Sequence, residues 1–294
     1  VKRFCLIANP AAGRTRHFTL LNTVRTLLDR AGLDHDLQVT QAPGLGITLS
    51  MAAAESGYAG VIAYGGDGTV SEVASGVVGT GLNLGVIPGG TMNLFAQELG
   101  LPSRLEEAVR IVAAGRTRKV EVGKVAGRYF ILCAGAGVDA AVVRTLPRSV
   151  KKKIGKLAYY LRAPMAAVRY PFPLIRVVTD DGVTLQGAQV IISNCREYGD
   201  RFLIAPGASP FDGVMDGCVF RGRRLRNFLR YYIAVRRGRH LLEADVEYYK
   251  GRRFLLRPVV EGASVPLQID GDYLCDLPAE IEVVPAALPV YVPD

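Results

Sequence analysis

The sequence predicts an α/β N-terminal domain built on a parallel sheet with Gly-rich loops, followed by a mainly antiparallel β-sandwich. Three observations predict it. Strand-like and helix-like segments alternate over the first third of the chain. Glycine-rich loops recur at the ends of those strands. After about Arg118 short β-like runs separated by turn signals dominate. A length of 294 residues accommodates two domains of ordinary size.

Residues 4–8 form a short apolar run that ends at the turn signal Asn9-Pro10. Residues 17–31 place Phe18, Leu21, Val24, Leu27 and Leu28 near helical spacing. Residues 36–40 read as a second strand, and Gly44-Leu45-Gly46 separates it from an alanine-rich helix. Residues 60–64 are a third strand, with a helix from the following loop to about Val78. Residues 84–87 are a fourth, with helical stretches at 92–99 and 103–114. Repetition of strand, loop and helix argues for a parallel sheet covered by helices. Beyond it, residues 119–125, 129–134, 174–179, 188–193, 217–220 and 253–258 read as strands. Helical patches at 150–168 and 224–237 interrupt them. The tail has apolar runs at 280–284 and 289–292 that are suited to return to the first domain.

Hydrophobic residues make up 49% and charged residues 21%, a balance that excludes wholesale disorder. Lys plus Arg number 36 against 27 Asp plus Glu; the net charge of +9 favours an anionic partner. No apolar run reaches the roughly 18 residues of a membrane-spanning helix. Residues 1–10 lack a small-residue cleavage site and so do not read as a signal peptide; Val1 in place of Met marks a processed or trimmed start. Cys5, Cys133, Cys195, Cys218 and Cys275 are odd in number and far apart. They predict packing residues in a reducing cytoplasm, not disulfides or a zinc site. His17, His35 and His240 lack metal-ligand spacing and are expected at the surface.

The strongest motif is Gly65-Gly66-Asp67-Gly68-Thr69, where a strand meets a helix. Glycines admit backbone angles closed to other residues and let a ligand approach the main chain. The freed N–H groups and the helix N-terminus suit a phosphate. Thr69 is placed to cap the helix or to bond a phosphate oxygen, and a tight turn capped by Thr69 is the plainer reading. Asp67 sets a carboxylate in a loop that otherwise attracts anions, which suits magnesium or a hydroxyl. Pro88-Gly89-Gly90-Thr91-Met92-Asn93 follows the next strand, and Asn9-Pro10-Ala11-Ala12-Gly13 follows the first. Such loops at the carboxyl ends of strands lie where open α/β sheets bind ligands. No G-x-x-x-x-G-K-[ST] and no complete G-x-G-x-x-G is present, which disfavours an ordinary P-loop or dinucleotide site.

These three loops, with Lys156-Leu157-Ala158-Tyr159-Tyr160, Ala205-Pro206-Gly207-Ala208, Asp212-Gly213 and Ile269-Asp270-Gly271-Asp272, come in an order that resembles the diacylglycerol kinase catalytic-domain family. The likeness is to its bacterial soluble lipid-kinase branch, related to sphingosine kinases, and covers almost the whole chain. It implies a nucleotide-binding domain at 1–124 and a β-sandwich lipid-binding domain at 125–279. The tail 280–294 returns to the first, and ATP and lipid meet in the cleft between. The implied ATP contacts fall on Thr40, on Gly65, Gly66, Asp67, Gly68, Thr69, Val70 and Ser71, and on Thr91, with Asn93 beside it. A structural Mg2+ is implied at the Asp212 carboxylate and the backbone carbonyls of Ser209 and Val214, oxygen ligands that suit a hard cation. A simple Asp-Gly turn is the alternative there.

The family usually reads Asp-Gly-Glu where this chain has Asp270-Gly271-Asp272, and its Glu is taken as the proton acceptor. The role passes by resemblance to Asp272, one methylene shorter, with Asp270 orienting the base or sharing its work. Two carboxylates near a phosphate site repel, which raises at least one pKa toward a useful value. An Asp-rich hairpin turn is the other reading. The family's second loop usually ends in Asn-Asp, here Asn93-Leu94, and a glycine run often follows the position of Tyr198, here Gly199-Asp200-Arg201.

Arg221, Arg223, Arg224, Arg226, Arg230, Arg236, Arg237 and Arg239 surround Leu225, Phe228, Leu229, Tyr232 and Ile233 at helical spacing. That is a basic amphipathic helix suited to an acidic membrane surface. Arg148, Lys151, Lys152, Lys153 and Lys156 form a second cluster. No nucleic-acid-binding pattern accompanies either. The expected protein is an ATP-dependent lipid kinase, cytoplasmic and peripheral at the inner membrane surface. It would phosphorylate a hydroxyl of a diacylglycerol-like lipid, phosphatidylglycerol or a long-chain base; a homodimer is left open. One rival is an NAD kinase-like enzyme, disfavoured because the chain has no Asn-Glu dipeptide to grip a ribose. The other is a non-catalytic lipid-binding or regulatory protein.

Overall fold

A computed structural model describes residues 3–9, 16–145 and 167–294. The chain divides into two compact units, residues 1–122 with 285–294, and residues 123–284. The first unit runs β1 (Arg3–Ala8), α1 (Arg16–Arg30), β2 (Asp34–Val39), α2 (Leu45–Glu55), β3 (Gly60–Gly65), α3 (Asp67–Val77), β4 (Asn83–Pro88), α4 (Leu94–Glu98) and α5 (Leu105–Ala114). The strands are parallel in the order β2-β1-β3-β4. β1, β3 and β4 are buried at nearly every position, because helices cover both faces of a parallel sheet; that is why they read as unbroken apolar runs. On one face Leu21, Val24 and Leu28 of α1 and Ala108, Val109 and Val112 of α5 pack on Leu6, Ile62 and Ile87.

The chain continues with β5 (Thr117–Val125), β6 (Arg128–Phe130), β7 (Cys133–Gly137), α6 (Val138–Thr145), β8 (Ile175–Thr179), β9 (Thr184–Gly187), β10 (Gln189–Ser193), β11 (Glu197–Tyr198), β12 (Phe202–Leu203), β13 (Met215–Phe220), α7 (Leu225–Arg236), β14 (Val246–Gly251), β15 (Arg253–Pro258), β16 (Pro266–Ile269), β17 (Asp272–Asp276) and β18 (Ala279–Tyr291); all belong to the second unit except the first part of β5 and the last part of β18. One antiparallel sheet has the order β14-β13-β10-β7-β16-β17; in the other, β18 pairs β15, β15 pairs β8 and β8 pairs β9. Alternate residues of both point into one core, among them Val190 and Ile192, Ile175 and Val177, Phe254 and Leu256, and Leu267 and Ile269. This is an antiparallel β-sandwich.

The structure corrects several sequence expectations. The run at 129–134 is two strands, because the N–H groups of Ile131, Leu132 and Cys133 turn to the Asp270 carboxylate instead of a neighbouring strand. The two tail runs are one strand, β18, which carries a positive φ of 49° at Ala286. His240 is fully buried, not at the surface. Its Nε2 lies 2.9 Å from the Ile204 carbonyl, and burial pushes its pKa down. The His35 ring is nearly buried as well, with Nδ1 3.1 Å from the Leu33 carbonyl. The Cys residues are all free; four are buried and Cys275 is half-buried. Pro10 to Gly13, most of the helical patch at 150–168, the Lys156 to Tyr160 motif and the second basic cluster lie outside the described residues.

Candidate functional site

The register of the first unit brings the loops to one edge. Ala8 lies beside Tyr64, and Gly65 beside Pro88. Asn9 N–H donates to the Tyr64 carbonyl at 3.3 Å, Gly89 N–H to the Gly65 carbonyl at 2.8 Å, and Thr40 N–H to the Ala8 carbonyl at 2.8 Å. Thr40, Asn9, Gly65 and Gly89 therefore end four adjacent strands at their carboxyl side. The two glycine loops touch through their main chains: a Cβ on Gly90 would stand 2.5 Å from the Cα of Gly66. A Cβ on Gly65 would stand 2.7 Å from the Thr69 Oγ1. Glycine is required here by packing of loop on loop, before any ligand is considered.

The side chains around these loops divide by exposure. Gly66, extended at φ −87°, is the N-cap of α3, so Thr69 is not the cap; its hydroxyl is tucked under Gly65. Thr69 and Val70 are buried, and their N–H groups bond the Gly66 carbonyl at 2.9 and 3.1 Å. Gly68 and Thr91 are exposed, and Ser71 is half-buried. Asp67 does not face water freely. Its Oδ1 accepts the Phe95 N–H at 3.3 Å, at the start of α4. Burial pushes the Asp67 carboxyl up from its ordinary value, and the amides of Phe95, Leu94 and Asn93 pull the other way. Asn93, at φ 52°, closes the second loop on itself: its Oδ1 accepts the Gly90 N–H at 2.9 Å and its Nδ2 donates to the Gly90 carbonyl at 3.1 Å. Asn tolerates this left-handed conformation better than most residues.

Glu72 was missed by sequence reasoning. From the second turn of α3 it accepts the N–H of Gly44 at 2.8 Å and of Gly46 at 3.1 Å, fixing the start of α2 against α3. A Gly-x-Gly before a helix, with an acid one turn past the Asp67 loop, was the available signal.

In the second unit Asp270 and Gly271 form the two-residue turn between β16 and β17. With φ of 47° and 84° and Ile269 opposite Asp272, this is the mirror-image turn preferred in hairpins. The Asp270 carboxylate accepts the N–H of Ile131 at 2.9 Å, of Leu132 at 2.9 Å and of Cys133 at 3.0 Å. Three donors on two oxygens make it a bracket for the hairpin. Gln268, fully buried, accepts the Gly271 N–H at 2.7 Å and braces the other side. Asp272 follows as the first residue of β17, exposed, on a turn fixed from both flanks.

Asp212 lies between Val214, whose N–H reaches its Oδ1 at 3.3 Å, and Lys250, whose Nζ is 3.2 Å from its Oδ2. The same ammonium donates to the Gly207 carbonyl at 2.7 Å and lies 3.5 Å from the fully buried Asp216. Tyr248 donates to Asp216 and accepts the Gly207 N–H at 3.1 Å. Burial pushes the Asp216 carboxyl up; Tyr248 and Lys250 oppose that shift. Two carboxyl groups thus share one ammonium, and the Asp216 Oδ2 has no hydrogen-bond partner among the described residues. Ser209 and Val214, the other two positions of the expected magnesium set, are half-buried, and the carboxylate oxygens of Asp212 and Asp216 are of the kind that suits a hard cation. Lys250, Tyr248 and Asp216 carry no motif and were not anticipated.

Residues 3–125 match the diacylglycerol kinase catalytic domain family, and residues 133–292 the YegS C-terminal NAD kinase beta sandwich-like domain. The chain is 31% identical to a diacylglycerol kinase of Bacillus subtilis over 95% of its own length and 93% of that protein's. A diacylglycerol kinase of Mycobacterium tuberculosis is 31% identical over 83% of this chain and 80% of its own. A crystal structure of a diacylglycerol kinase from Bacillus anthracis str. Sterne shares the fold with a TM-score of 0.78 at 24% identity, covering 99% of this chain and 97% of that one. A second structure from the same organism gives 0.82 at 24% identity, covering 99% and 95%. The chain belongs to the diacylglycerol kinase family, a family of lipid kinases, which are phosphotransferases with an alcohol acceptor.

Proposed function

We propose that this chain transfers the γ-phosphoryl group of ATP to a primary hydroxyl of a diacylglycerol-like lipid. The observation that carries the reading is the meeting of two glycine loops at the carboxyl ends of β3 and β4, so close that neither Gly66 nor Gly90 has room for a side chain, beside the N-terminus of α3, where a helix suits a phosphate. Gly65 to Ser71, Thr40 and Thr91 hold the nucleotide in this reading. Asp67 and Asn93 act through the loops they fix, not as free groups. The lipid hydroxyl oxygen bonds to the γ-phosphorus, the bond from that phosphorus to the bridging oxygen of ADP breaks, and the hydroxyl proton passes to the Asp272 carboxylate. Asp270 positions that carboxylate. As in phosphoryl transfer generally, most of the catalysis is alignment and charge stabilisation.

The test is labelled ATP with a panel of diacylglycerol, phosphatidylglycerol and a long-chain base, with NAD as a competing acceptor. Labelled diacylglycerol phosphate is expected. Asp272→Asn should lower kcat by about 10²- to 10⁴-fold, the span of general-base catalysis, while Asp272→Glu keeps activity. Labelled NADP without labelled lipid would overturn the reading.

Magnesium would be held by Asp212 with the Ser209 and Val214 carbonyls, supplying positive charge to a cluster with more carboxyl groups than ammonium. Saturating magnesium should raise the melting temperature, EDTA should reverse it, and Asp212→Asn should abolish the increment. A melting curve indifferent to magnesium in the native chain would remove the metal from this site.

A further inference from the structure

We infer that the outer face of α7, the turn that follows it and the β11–β12 ribbon form a docking face for an anionic bilayer; this rests on the lipid-kinase reading and names the surface that reading needs.

The inner face of α7 is accounted for. Tyr231 and Ala234 are buried, and the Tyr231 hydroxyl donates to Asp245 at 2.6 Å and accepts the Gly222 N–H at 2.8 Å. The Phe220 and Tyr231 rings stand 5.0 Å apart. The outer face is left apolar: Leu229 is 51% exposed and Ile233 49%, one helical turn apart. Leu242, in the turn His240–Leu242 beyond the helix, is 83% exposed. Beside the helix the Phe202 ring meets Tyr232 edge-on at 5.7 Å, and Leu203 next to it is exposed. The ribbon therefore extends the apolar surface of the helix.

The arginines fall into two sets. Arg221 pairs with Glu247 at 3.5 Å, and Arg230 pairs with Asp245 and, at 3.4 Å, with Glu243; these hold the helix to its own unit. Arg223, Arg224, Arg226, Arg236, Arg237 and Arg239 are exposed and make no ion pair among the described residues. Arg236 instead lies 6.0 Å over the Tyr232 ring. Residues 221–239 contain no acid at all.

An exposed apolar stripe flanked by uncompensated guanidinium groups matches the two layers of a bilayer interface. The apolar side chains enter the acyl boundary while the arginines reach anionic head groups. A second copy of this face is the wrong occupant, since pairing would set unpaired arginines against arginines with no acid between them. A nucleic acid would satisfy the arginines and leave Leu229, Ile233 and Leu242 without apolar partners.

Co-sedimentation without ATP tests this. The native chain should pellet with phosphatidylglycerol/phosphatidylcholine vesicles and not with pure phosphatidylcholine, and rising salt should release it. Arg226→Gln/Arg236→Gln/Arg237→Gln and, separately, Leu229→Ser/Ile233→Ser should each weaken binding about tenfold or more. Arg104→Gln/Arg110→Gln, on exposed positions of the other unit, should bind as the native chain does. Melting curves confirm that each variant is folded. Undiminished vesicle binding by both sets of variants would overturn the inference. So would a dimer in size-exclusion chromatography that Leu229→Ser dissociates, or arginine-dependent binding to a DNA duplex in place of vesicles. The triple arginine variant should phosphorylate a short-chain, detergent-dispersed diacylglycerol at the native rate. Vesicle binding that follows the predicted pattern, with no lipid phosphorylated, keeps this face and sinks the kinase reading alone.

Discussion

At Asp67 stability and function pull in opposite directions. Its carboxyl is pushed up by burial, more than the amides around Phe95 pull it down. A carboxyl raised in the folded state contributes stability below its unfolded value and loses it as pH rises through the folded value, so at neutral pH the ionised group is a net cost. Asp67→Asn keeps an oxygen for the Phe95 N–H and removes the charge. Its melting temperature at neutral pH should equal or exceed that of the native chain, with the gain fading as pH falls through the raised folded value toward about 4, the unfolded one. Lipid phosphorylation should fall by roughly 10²-fold, because the altered group sits where the two loops meet. A variant as active as the native chain would show that phosphoryl transfer does not need the Asp67 charge; a lower melting temperature would contradict the assigned sign.

At the scale of an element, the β16–β17 hairpin is held by one side chain reaching into another segment. Asp270→Ala leaves the amides of Ile131, Leu132 and Cys133 without their acceptor and puts alanine at a positive φ. Unpaired, partly buried donors cost about 1–3 kcal/mol each where water cannot reach them, so a loss of roughly 2–5 kcal/mol in urea unfolding is expected. Asp270→Asn, with one acceptor oxygen and tolerance of the turn, should lose less. Native stability in Asp270→Ala would show the bracket to be inessential. The same contact explains a limit of sequence reading. Asp270-Gly271 was legible as a turn, but the destination of the carboxylate, 139 residues away at Ile131, was not. The strand expected at 129–134 was split by it. β14 was invisible because Val246–Gly251 mixes charge and tyrosine without alternation. The parallel strands and the loops after them were legible because complete burial and glycine leave plain marks. Lys250 and His240 left none, since a single polar residue looks the same in sequence whether it pairs an acid or lies in the core.

At the scale of the whole molecule, the first unit is completed by residues from the far end of the chain. Val290 of β18 lies parallel to Leu84, the Tyr291 ring packs on Phe4 at 6.4 Å between centroids, and Asn83 reaches its hydroxyl at 3.4 Å. Val292 N–H donates to the Arg116 carbonyl at 3.1 Å. Leu288, Val290, Tyr291 and Val292 are all buried. At about 1.5–3 kcal/mol per large apolar side chain, removing them forfeits roughly 6–12 kcal/mol, as much as a domain of this size has in total. β4 would also lose its neighbour and expose an apolar edge that invites aggregation. Deleting residues 286–294 should therefore unfold the first unit, seen as loss of its cooperative melt and of nucleotide-dependent stabilisation. Residues 1–122 expressed alone should be insoluble or unfolded. Joining residues 285–294 to that fragment through a flexible Gly/Ser linker should restore a cooperative transition, because the tail then pays only loop-closure entropy, which grows slowly with linker length. A fragment of residues 1–122 that melts cooperatively without the tail would show that the four buried side chains add to a unit already stable, and that its folding does not wait for the last residues of the chain.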